Sequence, residues 1–366
     1  MLIIKFGIVL AQVASVLTSR NETHDGKRLI KVNETDTGSW LGDDEIFTLV
    51  KQNINFLDFT SRKFKDRLHP NHSADAIPET LRYHELIADA LKNIRTSRIK
   101  NFIDRLDDFP NRYCNNSNGV AAQKWLEETV KAAVNETRYR GRVTVRNFVH
   151  SWPQNSIIVR IEGSHIVLRH DVVILGAHFD SINIDDPMNG IAPGSDDNGS
   201  GSATVLEALR IIIASGIVPR RSIEFQWYAA EEIGRRGSMD IAEDYADRRV
   251  KVVAMLNFDV VGFREGPNQI GIVTDYTSPK LSTFVRLVVD RYCAYPWINI
   301  QCGYACSDHA SFTHHGFHAS DGSEYPENPD FHTLKDTLDK VSFDKIAEFV
   351  KLAVAAVIEI AEVGKR

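Results

Sequence analysis

The chain has 366 residues, with 43 Lys and Arg side chains against 49 Asp and Glu side chains, and its formal net charge is -6. It therefore lacks the positive charge with which proteins bind nucleic-acid phosphates, and we expect no nucleic-acid partner. With 43% hydrophobic residues, a chain of this length can bury one large core without disulfide bonds or a structural metal.

Residues 1–19 have the pattern of a secretory signal peptide. Lys5 supplies positive charge, apolar runs follow at residues 6–11 and 13–17, and small residues come next. The alternative is a buried strand or a frayed end. The run is too short to span a bilayer, and no later stretch of about 18 apolar residues occurs. We therefore expect a secreted, extracellular protein with no membrane contact.

Sequons and cysteines agree with secretion. Asn-x-Ser/Thr sequons, which predict a glycoprotein, begin at Asn21, Asn33, Asn71, Asn115, Asn135 and Asn198. Cys302 and Cys306 are close enough in sequence to close a small loop in an oxidising compartment. The sequence leaves open whether Cys114 and Cys293 pair or remain buried thiols.

Residues 20–75 are polar and rich in sequons, with one amphipathic stretch at residues 46–59. This composition favours a removable pro-segment, and therefore a zymogen, over an ordinary N-terminal extension. From residue 76 to the end at residue 366 the pattern changes to that of a folded domain. Apolar residues recur there at spacings of three and four, first around residues 87–94 and then at 99–106, which predicts helices at its start.

Short runs rich in β-branched and aromatic residues then alternate with helical patterns. The runs at residues 156–161, 172–175, 222–228, 252–258 and 269–274 predict strands. The segments at residues 201–214, 238–246, 279–292 and 343–363 predict helices. This alternation indicates an α/β fold, with a mixed, mostly parallel central sheet covered by helices on both faces.

Polar residues follow three of the predicted strands, where ligands bind in open α/β sheets. His178 and Asp180 end one strand, Glu231 and Glu232 follow the next, and Asp259 follows a third. Two loops add Asp197, just before a helix, and His332. Imidazole and carboxylate groups without thiolates suit Zn²⁺ or a similar divalent ion.

Five of these side chains could hold two zinc ions, because a shared carboxylate keeps two ions close together. One assignment pairs His178 with Asp259 and Glu232 with His332, leaving Asp197 between the ions; spacing alone does not fix that pairing. Asp180 could accept the second N–H of the imidazole of residue 178. The remaining acid, residue 231, would be the general base, because adjacent residues leaving a strand point in different directions.

Several motifs together resemble the dizinc aminopeptidases of peptidase family M28, particularly the bacterial and fungal leucine aminopeptidases. They are Gly176-Ala-His178-Phe-Asp180-Ser181, Ala192-Pro-Gly-Ser-Asp196-Asp197, Tyr228-Ala-Ala-Glu231-Glu232-Ile-Gly234, Asn257-Phe-Asp259, Cys302-Gly-Tyr304-Ala-Cys306-Ser-Asp-His309 and His332-Thr-Leu-Lys-Asp336-Thr337. The resemblance covers roughly Leu86 to the C-terminus.

The resemblance implies a zinc-dependent exopeptidase fold for a catalytic domain at residues 76–366, two Zn²⁺ per subunit held in the pairing given above, and Glu231 as the base. It also implies a disulfide between Cys302 and Cys306 beside the pocket, with Tyr304 near the substrate. Peptides with a free N-terminus would be the substrates, cleaved through a water that bridges the ions. We expect the protein to act as a monomer.

The chain departs from the leucine-preferring relatives after Gly316, where it has Asp321 and other polar residues in place of apolar ones. Asp321 predicts a preference for a basic N-terminal residue. The sequon at Asn198 directly follows Asp197, so we expect it to be unglycosylated.

Two functions from other classes remain open, and a carboxypeptidase or dipeptidase of the same family is a closer alternative that substrates with a blocked amino terminus would distinguish. A glutaminyl cyclase-like acyltransferase would have a similar fold and generally one zinc, and a non-enzymatic binding ectodomain on this scaffold would usually lack metal ligands. Motifs of other enzyme classes fail: Ala88 stands where a single-zinc helix motif needs its second His, and no Gly-x-Ser-x-Gly occurs.

Overall fold

The computed structural model of the protein describes residues 26–60, 76–137 and 139–363. The predicted signal peptide lies outside these residues, as do the sequons at Asn21 and Asn71 and part of the predicted pro-segment. The strands are β1 (Arg28–Lys31), β2 (Ser39–Leu41), β3 (Leu57–Asp58), β4 (Val143–Phe148), β5 (Ser156–Ile161), β6 (Asp171–His178), β7 (Ser222–Tyr228), β8 (Lys251–Phe258), β9 (Ile270–Val273), β10 (Trp297–Ile300) and β11 (Ala319–Ser323).

From β6 onward, most strands are followed along the chain by a helix. The helices are α1 (Asp43–Lys51), α2 (His84–Leu91), α3 (Thr96–Leu106), α4 (Ser117–Asn135), α5 (Gly199–Ala214), α6 (Arg236–Asp247), α7 (Pro279–Tyr292), α8 (His309–His314) and α9 (Phe343–Ala361). Among the described residues, none of the helices is both long enough and apolar enough to cross a membrane.

The main sheet has eight strands in the order β10, β9, β11, β8, β6, β7, β5 and β4. At its centre β6 runs parallel to both β7 and β8. Antiparallel pairs occur between β9 and β11 and where β5 joins β4 and β7. The predicted mixed, mostly parallel sheet is confirmed.

Strand β6 shows why this sheet is covered on both sides. All eight of its residues are buried, and they alternate between the two faces with the period of two that a strand imposes. Val173 and Leu175 pack in the larger core with α5 and α9, whereas Val172 and Ile174 pack in a second core with α6 and α8. Helices therefore lie on both faces, as the sequence predicts.

The N-terminal part of the chain forms a separate small sheet, which the sequence did not indicate. Its three strands lie in the order β2, β1, β3 and are antiparallel. The amphipathic stretch at residues 46–59 is divided between α1 and β3, because the helix ends at Lys51 and the chain becomes extended. Residues 26–60 are thus folded against the rest of the chain, and their later removal stays a prediction.

Candidate metal centre

The register of the three central strands brings the predicted residues to one edge of the sheet. His178, the last residue of β6, lies opposite Tyr228, the last residue of β7. Gly176 lies opposite Asn257, so β8 ends beside them and delivers Asp259. The loop after β7 carries the adjacent acids at positions 231 and 232 to the same edge.

Asp197 is positioned by the start of α5. The next residue, Asn198, caps that helix, because its side-chain oxygen accepts a hydrogen bond from the backbone amide of Gly201. Its side-chain Nδ2 donates to the carbonyl of Phe258 at 2.9 Å. A Cβ at Gly201 would overlap that same carbonyl, so the close approach of helix and strand requires glycine. Asn198 is fully buried, which agrees with an unused sequon, whereas Asn33, Asn115 and Asn135 are exposed.

Two clusters of imidazole and carboxylate groups share Asp197. Its Oδ1 lies 3.3 Å from Nε2 of His178, and its Oδ2 lies 3.2 Å from Nε2 of His332. Nε2 of His178 is also 3.2 Å from Oδ1 of Asp259, and Nε2 of His332 is 2.6 Å from Oε2 of Glu232. The structure therefore brings all five side chains together, and Asp197 stands between the two pairs.

This donor set fits a pair of zinc ions. In each cluster three ligand atoms lie within 4.8 Å of one another. Around tetrahedral zinc with bonds of about 2.0–2.1 Å, the ligand atoms would be roughly 3.3 Å apart. Three of the four distances already match that spacing, and only the contact between Glu232 and His332 would have to lengthen.

The electrostatics of the cluster also favour cations. Burial alone would lower the pKa of both His178 and His332, but the surrounding carboxylates raise the two pKa values well above the ordinary value. The two imidazoles in turn hold the pKa of Asp197 well below its usual value, although burial opposes this. In the metal-free chain, protons on the imidazoles thus partly balance charge that a metal would balance.

Glu231, the acid next to Glu232, belongs to neither cluster. Burial raises the pKa of Glu231 to about 7, against the lowering effect of nearby Arg235. Nε of Arg235 lies 2.7 Å from Oε1 of Glu231, without the alignment of a hydrogen bond. No sequence pattern indicates a role for this arginine, because its contact with Glu231 depends on how the loop folds.

Two buried carboxylates hold the loops that carry the ligands. Asp180 accepts the amides of Glu231 and Glu232 at 3.0 and 3.3 Å, and the Nδ1 of His178 faces its backbone carbonyl at 3.2 Å. The predicted contact between the Asp180 carboxylate and that imidazole measures 3.5 Å. Asp336 accepts a hydrogen bond from the backbone amide of Asp197 at 2.9 Å. This residue belongs to one of the sequence motifs, but its supporting role was not predicted.

Asp321 lies behind the candidate metal ligands and does not line the cavity next to them. Only 3% of it is exposed, and its Oδ1 accepts a hydrogen bond from Asn257 at 2.9 Å. Asn257 also donates to Ser307, whose hydroxyl donates to Oδ2 of Asp259 at 2.6 Å. Burial raises the pKa of Asp321 well above its ordinary value, so the carboxylate is a poor partner for a basic side chain.

Tyr304 lines a different cavity from the one beside the metal ligands. That second cavity, of about 290 Å³, lies between Tyr304 and Tyr276 on one part of the chain and Lys31 and Leu57 of the N-terminal sheet. The expected role of Tyr304 near the substrate therefore has no support from its position.

The predicted disulfide between Cys302 and Cys306 is present. Cys306 lies near the candidate metal centre, where its backbone carbonyl accepts a hydrogen bond from Arg235 at 2.7 Å. Cys114 and Cys293 are free, which answers the question that the sequence left open.

Unusual backbone conformations concentrate in the site loops. Ala230, Arg235, Val260 and His332 all have positive φ angles, between 45° and 59°, although none is glycine. Such conformations are sparsely populated and persist where surrounding contacts enforce them, often at functional sites. Each of these four residues stands at or beside a ligand or the candidate base.

A cavity of about 120 Å³ opens beside both clusters. Four ligands, Asp197, Glu232, Asp259 and His332, line it together with Glu231. The rest of its lining is Val50, Asn53, Ile54, Asn55, Phe56, Arg235, Val260, Cys302, Cys306, Glu327 and Phe331. The site can therefore admit a small group next to the candidate metal ligands and base.

Comparison with known proteins gives concordant findings. The sequence profile of peptidase family M28 matches residues 156–357. A leucine aminopeptidase of Arthroderma otae is 36% identical over 357 residues, covering 93% of this chain and 94% of its own. The crystal structure of the aminopeptidase LapA of Legionella pneumophila is similar, with a TM-score of 0.78, 25% identity and coverage of 95% and 96% of the two chains. A zinc aminopeptidase of Bacillus subtilis has a TM-score of 0.50 and 25% identity over 58% of this chain and 51% of its own.

Proposed function

Because the chain belongs to peptidase family M28, we propose that it removes the N-terminal residue from peptides with the help of two zinc ions. The family and the similar leucine aminopeptidases make it an aminopeptidase and a hydrolase. The observation that carries the zinc part of the proposal is the position of Asp197, with one carboxylate oxygen directed at each imidazole.

The five side chains divide into two metal sites. His178 and Asp259 would hold one ion, Glu232 and His332 the other, and Asp197 would contribute one oxygen to each. Bound zinc supplies two effects, polarisation of the scissile carbonyl and a lower pKa of water. The chain itself limits contact of these side chains with bulk water, because four of them are buried and His332 is partly buried.

Glu231 would act as general base and then as general acid. Its carboxylate lines the cavity, and its buried Oε1 makes no aligned hydrogen bond with the described part of the chain. It would take a proton from the attacking water and deliver it to the departing amine. A general acid–base group works best when its pKa lies near the working pH, and a value of about 7 meets that condition.

The restriction to the first residue would come from charge. The α-amino group of a peptide is cationic, and the cavity offers carboxylates at Asp259 and at Glu327 on its lining. A peptide with a blocked amino group would lose this attraction and would present extra bulk to a small cavity. Such peptides should therefore be poor substrates.

The substitution Glu231→Gln tests the proposal directly. We expect the variant to bind two zinc ions per chain while kcat falls by about 10²- to 10⁴-fold, because only the proton transfer is lost. Zinc content by metal analysis and hydrolysis of Leu-p-nitroanilide measure the two effects. Glu128→Gln, on the exposed side of α4, is the matched control. Full activity of Glu231→Gln would refute the assignment of the base.

The same preparation separates the two remaining alternatives. A glutaminyl cyclase-like enzyme would cyclise an N-terminal glutamine and would retain one zinc per chain. A binding ectodomain would hydrolyse nothing, whatever its metal content. Release of free leucine by a chain holding two zinc ions excludes both.

We further propose that the protein is secreted and glycosylated. The N-terminal sequence pattern, the disulfide and three exposed sequons support this proposal. Expression in a eukaryotic host should yield extracellular protein whose mass falls on treatment with a glycosidase. Retention inside the cell with an intact residue 1 would contradict it.

A further inference from the structure

The N-terminal part of the chain contributes directly to the cavity beside the candidate metal centre. Val50, Asn53, Ile54, Asn55 and Phe56 line that cavity together with the metal ligands. We call residues 50–56 the wall segment. The cavity keeps a volume of about 120 Å³ with the wall segment in place, so the segment bounds the space and does not fill it.

Buried ion pairs fasten the N-terminal part to the loop that carries the base. Oδ2 of Asp58 lies 3.2 Å from Nη1 of Arg28 and 3.2 Å from Nε of Arg236. The amide of Asp58 donates to the carbonyl of Gly234 at 3.1 Å, and Arg28 donates to the carbonyl of Ile233 at 3.0 Å. Arg28 and Asp58 are only 8% and 4% exposed. Breaking a buried pair leaves an uncompensated charge, so this attachment resists removal.

Arg235 links the wall segment to the candidate base itself. Its Nη2 donates to Oδ1 of Asn55 at 3.3 Å and to the carbonyl of Cys306 at 2.7 Å, while its Nε lies 2.7 Å from Oε1 of Glu231. The guanidinium group thus contacts the wall segment, the disulfide loop and the base at once. Loss of the wall segment would remove one of these three supports.

Apolar contacts extend the same attachment. Leu29, Leu57 and Phe59 share a buried cluster with Met239 and Ala310 of the main domain. A main domain without residues 26–60 would expose this apolar surface to water, at a cost in free energy that grows with the exposed area. These contacts are those of an integral part of the fold.

We propose that the wall segment is a permanent part of the mature enzyme and forms one side of the subsite for the side chain of the first substrate residue. Ile54 of the segment, with Val260 and Phe331 of the main domain, is partly exposed and supplies the apolar part of a cavity lining that is otherwise largely polar. This apolar part would select medium-sized apolar side chains. The proposal rests on the proposed aminopeptidase function. It replaces a removable pro-segment by a fixed specificity element.

The mass of the active enzyme tests whether the segment stays. We expect the folded, zinc-loaded fraction to retain residues 26–60 in native mass spectrometry, whether or not the chain is cut elsewhere. A folded, zinc-loaded species that lacks these residues would overturn the proposal. Because this measurement follows the composition of the folded protein, it can be made even on a preparation that fails to hydrolyse peptides.

Substitution of Ile54 tests its role in specificity. Ile54→Ala enlarges the subsite, and we expect KM for Leu-p-nitroanilide to rise about tenfold with kcat nearly unchanged, and preference to shift toward Phe-p-nitroanilide. Ile54→Phe should shift preference toward Ala-p-nitroanilide. Leu49→Ala is the matched control, because Leu49 is an equally half-buried residue near the segment that does not line the cavity.

The outcomes distinguish this proposal from its rivals. If the wall segment were an inhibitory cap, Ile54→Ala would raise kcat/KM equally for all three substrates, and that result would overturn the proposal. Unchanged selectivity in both Ile54 variants would also overturn it. If the wild-type chain binds zinc but cleaves none of the substrates, the proposed function fails while the mass measurement still reports on the wall segment.

Discussion

Asp336 offers the sharpest test of how the fold holds Asp197, the proposed bridging ligand. Its buried carboxylate accepts the amide of Asp196 at 3.1 Å, the amide of Asp197 at 2.9 Å and the side-chain amide of Asn328 at 3.0 Å. These bonds fix the backbone from which the Asp197 carboxylate extends between His178 and His332. Removing the acceptor should therefore change metal binding, although Asp336 itself contacts no ligand atom.

The structure sets the expected size of the effect. Asp336→Ala leaves three buried donors without a partner, and at about 1–3 kcal/mol for each unsatisfied group we expect a loss of about 3–9 kcal/mol in the free energy of unfolding. Asp336→Asn keeps one acceptor oxygen and should lose about 1–3 kcal/mol. Supporting residues of metal sites typically change affinity 10- to 100-fold, and we expect zinc affinity of the Asn variant to fall within that range.

Zinc affinity by competition with a chelator, and unfolding in urea, measure the two effects. Asp339→Asn, a nearby exposed carboxylate, is the control and should change stability by less than about 0.5 kcal/mol. A folded Asp336→Asn protein that binds zinc as tightly as the wild type would refute the reasoning, because Asp197 would then be held without this carboxylate.

Three further predictions concern pH, metal removal and packing. Burial raises the pKa of Asp107 to about 6 from 3.8, so the folded chain binds this proton more tightly than the unfolded chain. The protonated Asp107 side chain therefore contributes stability below about pH 4, and this contribution, at most about 3 kcal/mol, is lost as the pH rises through 6. Asp107→Asn should consequently be more stable than the wild type at pH 7.5 but not at pH 4. Chelation of zinc should lower the melting temperature, and added zinc should restore it. Zinc binding should also release protons from His178 and His332, which calorimetric titration in two buffers would detect. A melting temperature that does not depend on metal would contradict this prediction. Gly201→Ala should cost about 1–3 kcal/mol because its Cβ would overlap a neighbouring backbone carbonyl, whereas Gly322→Ala, with only ordinary contacts at 3.6 Å, should cost less; equal losses in urea unfolding would argue against it.

The sequence predicts the central sheet well because period and composition agree along its strands. Strands β5 and β7 have the predicted bounds, and β6 and β8 extend the predicted runs by a few residues. The short strands β10 and β11 were not predicted. Their residues include polar side chains and glycine, and only pairing with neighbouring strands makes them extended.

In the candidate site, too, some features can be predicted from the sequence and others depend on the fold. Residue types and their places after strands predict His178, Glu231 and Asp259 as candidate site residues, since carboxyl ends of parallel strands meet at one edge. The supporting roles of Asp336 and Arg235 are not visible in this way. Both roles depend on contacts between loops that are distant in sequence, and no local pattern records such contacts.

By itself, the sequence determined the type of fold and the family, and it predicted the residue types of the candidate ligand set, because periodicity and residue type are local properties of a chain. Only the tertiary structure decided which oxygen of Asp197 faces which imidazole, that Asp321 and Tyr304 lie off the metal-site cavity, and that residues 50–56 bound it. These features are distances between segments brought together by packing, and packing is determined by the whole core at once.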